Sequence, residues 1–186
     1  MVTFSGITGT AWHVAVAGAR GVHLKDVDET LEAVRAVAGD ETFQLFDAEM
    51  VAGWRHLFHA AVNACNALST GVAVSKSLDV ETLLYASCQD QISKAFDLMG
   101  LNPDVHEVAA LVFSEDKSVA EGTTSLIAES LGAVDDSVLA VTPKKFSTLK
   151  KVFEVGDEAL EAVGGNPYDA LTSLVIEKGA LLPLRR

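Results

Sequence analysis

VSKSLDVETLLYASCQDQISKAFDLMG, residues 74–100, decides how the rest of the chain is read. Leu78, Leu83 and Leu84 mark the apolar side of a short helix. Asp79 and Glu81 lie in its opening turn, where the helix dipole favours anions. Ser87 reads as an N-cap, with Asp90 three residues on completing a capping-box pattern. Ile92, Ala95, Phe96 and Met99 then fall at 0, +3, +4 and +7, which is one face of a second helix. The spacing predicts a helical hairpin: two short helices joined by a polar elbow, with a buried seam between them.

Working outward, the 186 residues amount to one domain, and 49% hydrophobic residues are enough for a sizeable core. No apolar run approaches the roughly 20 residues of a membrane span. The N-terminus shows no basic segment followed by an apolar one, so a soluble, cytoplasmic protein is expected. Cys65 and Cys88 are the two cysteines, without metal-ligand spacing, and read as reduced thiols. The formal net charge of −12 excludes broad, non-specific nucleic-acid binding, which needs a basic field. Any RNA contact has to come from a local patch or from a partner.

The flanking segments alternate in period. WHVAVA (residues 12–17), TFQLF (42–46), VAALVF (108–113) and residues 138–141 read as strands, the third as a central strand covered on both faces. Helical spacing appears from Asp26, with Val27, Leu31, Val34 and Val37. It returns over residues 53–68, whose stripe is Leu57, Ala60, Ala61, Ala64 and Leu68, and again around residues 119–127. Thr142-Pro143 and Asn166-Pro167 open two further helices, with Pro at the first helical position. The first carries Phe146, Leu149 and Phe153, and the last carries Leu171, Leu174, Val175 and Lys178. Four strands among about seven helices, without one-for-one alternation, predict an α/β (α+β) fold: a single domain over residues 1–186 with a mixed central β-sheet covered by helices.

Reactive groups do not converge in the sequence. GxSxG and phosphate-cradling glycine loops are absent, and no nucleophile, base and charge-stabilising group come together. His56 and His59 have a spacing that puts two imidazoles on one metal, but no third ligand is spaced to join them. The expectation is no catalytic residue, no metal and no cofactor. Basic residues are scarce: Arg55 on the long helix, Lys76 before the elbow helices, Lys94 on the second of them, and Lys144, Lys145, Lys150 and Lys151 on one later helix. A solvated surface accounts for most of these.

The order Ser75-Lys76-Ser77-Leu78, Glu81, Leu83 to Ser87, Gln91-Ile92, Ala95 and Gly100 resembles the signature of one family, the PRPK-binding-protein-like (TPRKB-type) small subunit of the KEOPS complex. The resemblance is strongest over residues 54–100. It implies an α/β fold and a non-enzymatic subunit of the machinery that makes N6-threonylcarbamoyladenosine in tRNA. A separate transferase does the chemistry and a small atypical kinase/ATPase regulates it. The family member binds the N-terminal lobe of that kinase, meets the remaining subunits indirectly, and captures the single-stranded 3′ CCA end of tRNA, with no membrane involved.

Carried onto this chain, the resemblance implies a tRNA-binding elbow. Lys76 would meet phosphate, with Arg55 and Lys94 as neighbouring cations. Ser77 and Gln91 would bond sugar or base edges, and His56 and Ile92 would give flat or apolar contact to an unstacked base. The kinase interface would be the last helix, with Leu171, Leu174, Val175 and Lys178. The family commonly has a Gly and a basic residue just ahead of the Gln-Ile pair; here those places hold Cys88 and Asp90. Asp90 and the net charge keep open a second reading, an allosteric activator of the kinase without RNA. A third, less favoured by the residues, is a small metal-dependent hydrolase built on His56 and His59.

Overall fold

The structure is a computed structural model and describes residues 2–4, 7 and 9–185. Arg186, one of the two closing arginines, lies outside them. In chain order the elements are β1 (Val2–Phe4), β2 (His13–Arg20), α1 (Val27–Ala38), β3 (Thr42–Asp47), α2 (Trp54–Thr70), α3 (Leu78–Ser87), α4 (Ile92–Met99), β4 (Glu107–Ser114), α5 (Lys117–Leu131), β5 (Ala133–Val134), α6 (Pro143–Val152), α7 (Asp157–Val163) and α8 (Pro167–Ala180). They group into two compact units, Met1–Glu49 with Met99–Leu139 and Met50–Leu98 with Ala140–Arg186.

The first unit holds the sheet, in the order β1-β2-β4-β3, with β5 also paired to β2. The expected α+β class holds. Every described pairing is antiparallel, however, so the sheet is not the mixed one expected. Periodicity marks a strand but carries no direction; direction is settled by pairing. β4 is central, between β2 and β3, and its residues Val108 to Ser114 are all buried, which accounts for its unbroken apolar run. One face of the sheet supplies Ala17, Ala19, Leu45, Val108, Ala110 and Val112 to a core closed by Val34 and Ala38 of α1 and Ile127 and Ala128 of α5. Both helices start on an aspartate cap: Asp26 accepts from the N–H groups of Asp28 and Glu29, and Asp116 from those of Ser118 and Val119.

Residues 138–141 are not the strand expected. Asp136–Leu139 is a 3₁₀ turn whose Val138 and Leu139 are buried. It lies directly on β2 at Gly18, where a Cβ would come within 2.4 Å of Val138 and 2.5 Å of the Asp135 carbonyl. The Gly18 N–H donates to the Asp136 carboxylate (3.0 Å), and Gly18 O accepts from the Asp135 N–H (2.9 Å). An apolar pair of this kind looks like a strand in sequence because burial leaves the same pattern whichever element delivers it. The short strands β1 and β5 and the seven-residue helix α7 are too brief to show a period.

The second unit is helical. α2 packs on α3 and on α8, and α8 also packs on α3. Leu57, Ala60, Ala61 and Ala64 of α2 face that contact, as their stripe predicts, while the stripe closes on Ala67 with Leu68 only half-buried. α3 is buried on every side from Glu81 to Ser87, the polar Glu81, Thr82 and Ser87 included, so the helix is enclosed by its neighbours. Gly179 of α8 rests on the α3 backbone: a Cβ there would stand 2.7 Å from the Tyr85 carbonyl oxygen. The antiparallel partner of α3 is therefore α2. The hairpin expected between α3 and α4 does not form; α4 shares no extended seam with α3. Among the described residues no helix is long and apolar enough to cross a membrane.

Candidate functional site

The stretch connecting α2 to α3 is held from within. Glu81, in the fourth position of α3, is 0% exposed, and its Oε2 accepts from the backbone N–H groups of Val74 (3.0 Å) and Ser75 (2.8 Å). The Ser75 hydroxyl accepts from the Ser77 N–H (3.1 Å), and the Ser77 hydroxyl donates to the Asp79 carboxylate. Lys76 thus sits at the apex of a turn whose polar groups are bonded to one another. Its own ammonium is exposed and has no ion pair among the described residues. Val72 and Val74 are exposed beside it.

At the other end of α3 the chain turns through Cys88, which takes a left-handed conformation (φ 55) and closes the helix by donating its N–H to the Tyr85 carbonyl (3.3 Å). This is the place where the resembled family commonly has glycine, which adopts that backbone without the steric cost a side chain brings. Ser87 is not the N-cap expected of α4. It is the buried last residue of α3, and its hydroxyl donates to the Leu84 carbonyl (3.2 Å). α4 starts at Ile92, and the face read as fully buried is split. Ala95 and Met99 are buried, while Ile92 and Phe96 are 41% and 45% exposed.

His56 is the residue whose position most changes the reading. It is 2% exposed, on the first turn of α2, with its ring edge-on to Phe153. The Ala52 N–H donates to its Nδ1 (3.1 Å), so the proton is on Nε2, which donates to the Ala86 carbonyl (2.8 Å). Both ring nitrogens are spent on backbone, and neither ring face is open to a base or a metal ion. The imidazole instead ties the start of α2 to the end of α3. Burial holds its pKa down to about 4, against the bond to Ala86, which pulls the other way. His59 is half-buried and is also shifted downward, by burial and then by Arg55. No group of three or more metal-ligating side chains occurs among the described residues.

The other residues carried over to RNA are all exposed: Arg55 at the start of α2, Lys76 and Ser77 before α3, and Gln91, Ile92 and Lys94 at the start of α4. The bond from His56 to Ala86 brings the first turn of α2 to the end of α3 from which the 88–91 turn leaves. The lysines of α6 do not form the basic cluster their spacing suggests. Lys145 is buried and Lys150 is paired with Asp157. Both thiols are free and buried; burial pushes Cys88 up to about 12 and Cys65 to about 11, so both stay protonated at neutral pH.

The helical surface proposed for a protein partner is arranged differently from its heptad-like spacing. Leu171 and Val175 are fully buried, pointing inward. Lys178 stays partly exposed on the surface, donating to the Phe153 carbonyl (2.7 Å) and to Glu154 (3.0 Å). Leu174 does reach the surface. With Phe153, Val155, Ala159, Glu177 and Leu181 it lines a largely apolar groove of about 270 Å³ along α7 and α8. Leu181 is exposed. Sequence spacing missed this groove because α7 is too short to show a period and Leu181 lies past the end of α8.

Exposed cations without an ion pair among the described residues, Arg55, Lys76 and Lys94, together with exposed apolar side chains and an apolar groove, offer surface for a partner rather than a closed reactive centre. The chain belongs to the kinase binding protein CGI-121 family, whose pattern matches residues 23–181. This is the PRPK-binding-protein-like KEOPS subunit family that the signature over residues 54–100 resembles. The chain is similar to the regulatory protein Cgi121 of Methanocaldococcus jannaschii, 27% identical over 144 residues, which cover 77% of this chain and 85% of that protein.

Proposed function

We propose that this protein is a non-catalytic KEOPS subunit that docks the N-terminal lobe of the small atypical kinase through the α7–α8 groove and takes the single-stranded 3′ CCA end of tRNA on the elbow around α3. The observation that carries the reading is the match to a kinase-binding family over residues 23–181. The kinase would meet Leu174 and Leu181 in the groove, with Leu171 and Val175 supporting α8 from behind and Lys178 fixing its last turn. The RNA half is supported by the exposure of Arg55, Lys76, Ser77, Gln91, Ile92 and Lys94. Cations, hydrogen-bonding groups and an exposed apolar side chain are among the groups that meet an unstacked RNA end, and the Arg55 guanidinium plane takes over the flat contact that buried His56 does not give.

A second reading drops the RNA and leaves an activator of the kinase. Asp90 favours it: the carboxylate is exposed beside Gln91 in an already acidic molecule. The two readings separate on the RNA end. Co-purified with its kinase, the protein is expected to retain intact tRNA and to lose most of that binding when the CCA is trimmed. Binding that ignores the trimming leaves only the kinase role. Leu181→Glu is expected to weaken kinase association at least tenfold without lowering stability, because it puts a charge into a contact rather than into the core. Unchanged association would move the kinase elsewhere.

A further inference from the structure

Glu81 is a carboxylate with no exposed surface, and burying one is expensive unless hydrogen bonds replace its water. Two of those bonds come from consecutive backbone N–H groups, Val74 and Ser75, six and seven residues back along the chain. Charge-assisted bonds of this kind are roughly twice as strong as neutral ones. They act on a segment that otherwise has little to hold it: Val72, Val74, Lys76 and Ser77 are all exposed. Other side-chain bonds of the turn run from the Ser77 N–H to the Ser75 hydroxyl and from the Ser77 hydroxyl to Asp79, and these two shape it without attaching it to the interior.

We infer that Glu81 is the positioning residue of the RNA-binding surface: its buried carboxylate seats the 72–77 segment on α3 and so fixes where Lys76 stands. This rests on the RNA reading above and adds to it a residue that no ligand touches. The physical case is entropic. A lysine on a loose loop must order both loop and side chain when it meets a phosphate, and that lost conformational freedom opposes binding. Anchoring N–H groups two and one residues ahead of Lys76 removes that ordering step before the ligand arrives. Glutamate suits the seat because one oxygen serves both N–H groups. Glutamine offers a neutral oxygen to the same groups, and aspartate is one methylene too short to reach from its place on α3.

The test is a double-mutant cycle on RNA binding by the full chain in complex with its kinase, using a single-stranded RNA ending in CCA. Lys76→Ala is expected to weaken binding several-fold and to lower the salt slope by about one phosphate contact. Glu81→Ala is expected to give a similar loss and slope, and adding Lys76→Ala to it is expected to cost little more, because Glu81 acts through Lys76. Glu81→Gln should lose less than Glu81→Ala, and amide hydrogen exchange at Val74 and Ser75 should accelerate in both. Kinase association is the control for folding. If Glu81→Ala unfolds the chain, Glu81→Gln and the exchange rates of those two amides in the native protein carry the test. Losses that simply add, or fast exchange at both amides in the native protein, overturn the proposal. If instead Lys76→Ala leaves both affinity and salt slope unchanged, the RNA reading of this loop is what fails, and the positioning role falls with it.

Discussion

A proton added to His56 would strand a charge in the interior and break the bond its Nδ1 accepts from Ala52. The unfolded chain takes up that proton near pH 6.5, whereas the folded protein does so only near 4. As the pH falls between those values the unfolded state binds more protons, so stability is full above 6.5 and is lost progressively down to 4. The gap corresponds to about 3 kcal/mol. Asp116 and Asp135, held below the usual carboxylate range by hydrogen bonds to Ser118 and Ser137, lose their contribution at still lower pH and do not confound the window. Denaturant unfolding at pH 7.5 and 4.5 should show most of this loss in the native sequence and much less in His56→Gln. Equal pH dependence in the two would mean that the imidazole is not the group responsible. The same residue shows how far sequence reasoning reaches. A histidine on the first turn of a helix is legible, but whether its ring faces a ligand or two backbone groups is not. That depends on α3 arriving beside it from 30 residues away.

Among the elements, the contact of α8 with α3 is set by one glycine. By helix propensity alone, Gly179→Ala should stabilise α8 by close to 1 kcal/mol. The opposite is expected. The new methyl would stand 2.7 Å from the Tyr85 carbonyl oxygen, a backbone atom that cannot rotate away, so one helix must shift off the other. Overpacking of this kind costs about 1–3 kcal/mol and outweighs the propensity gain. Urea unfolding should place Gly179→Ala about 1–2 kcal/mol below the native protein; a more stable variant would mean the two helices have room to spare. The elements themselves were largely legible. The strands over 12–17, 42–46 and 108–113 and the helices opened by Thr142-Pro143 and Asn166-Pro167 stand where their periods and caps place them, within a few residues. What failed were inferences about neighbours. Ile92 and Phe96 have the spacing of a buried face and are exposed; Leu171 and Val175 have the spacing of a docking face and are buried. Spacing says which residues share a side of a helix. It does not say on which side the rest of the protein lies.

For the molecule as a whole, a formal charge of −12 sets the terms on which the proposed RNA binding has to work. A polyanion approaching a net anion is repelled at long range, so on the proposed RNA reading the attraction has to come from local contacts at Lys76, Arg55 and Lys94. The isolated chain is therefore expected to bind a CCA-ended RNA weakly, with affinity falling steeply as salt rises and a slope matching only a few phosphate contacts. Binding by the complex with the kinase should be tighter, since the partner adds surface of its own. Filter binding across a salt series measures both; tight binding by the isolated chain that is indifferent to salt would contradict the local-patch reading.

The amino-acid sequence determined the class of fold, the positions of the longer elements, the acidic balance and the family, because periodicity, caps, charge and a long ordered signature are local or additive properties of a chain. Tertiary structure alone decided the strand directions, the pairing of α3 with α2, the inward turn of His56, the tie of Lys178 to the Phe153 carbonyl, and the buried seat of Glu81. Each of these depends on which distant backbone groups come within hydrogen-bonding or van der Waals distance, and that distance is a property of packing.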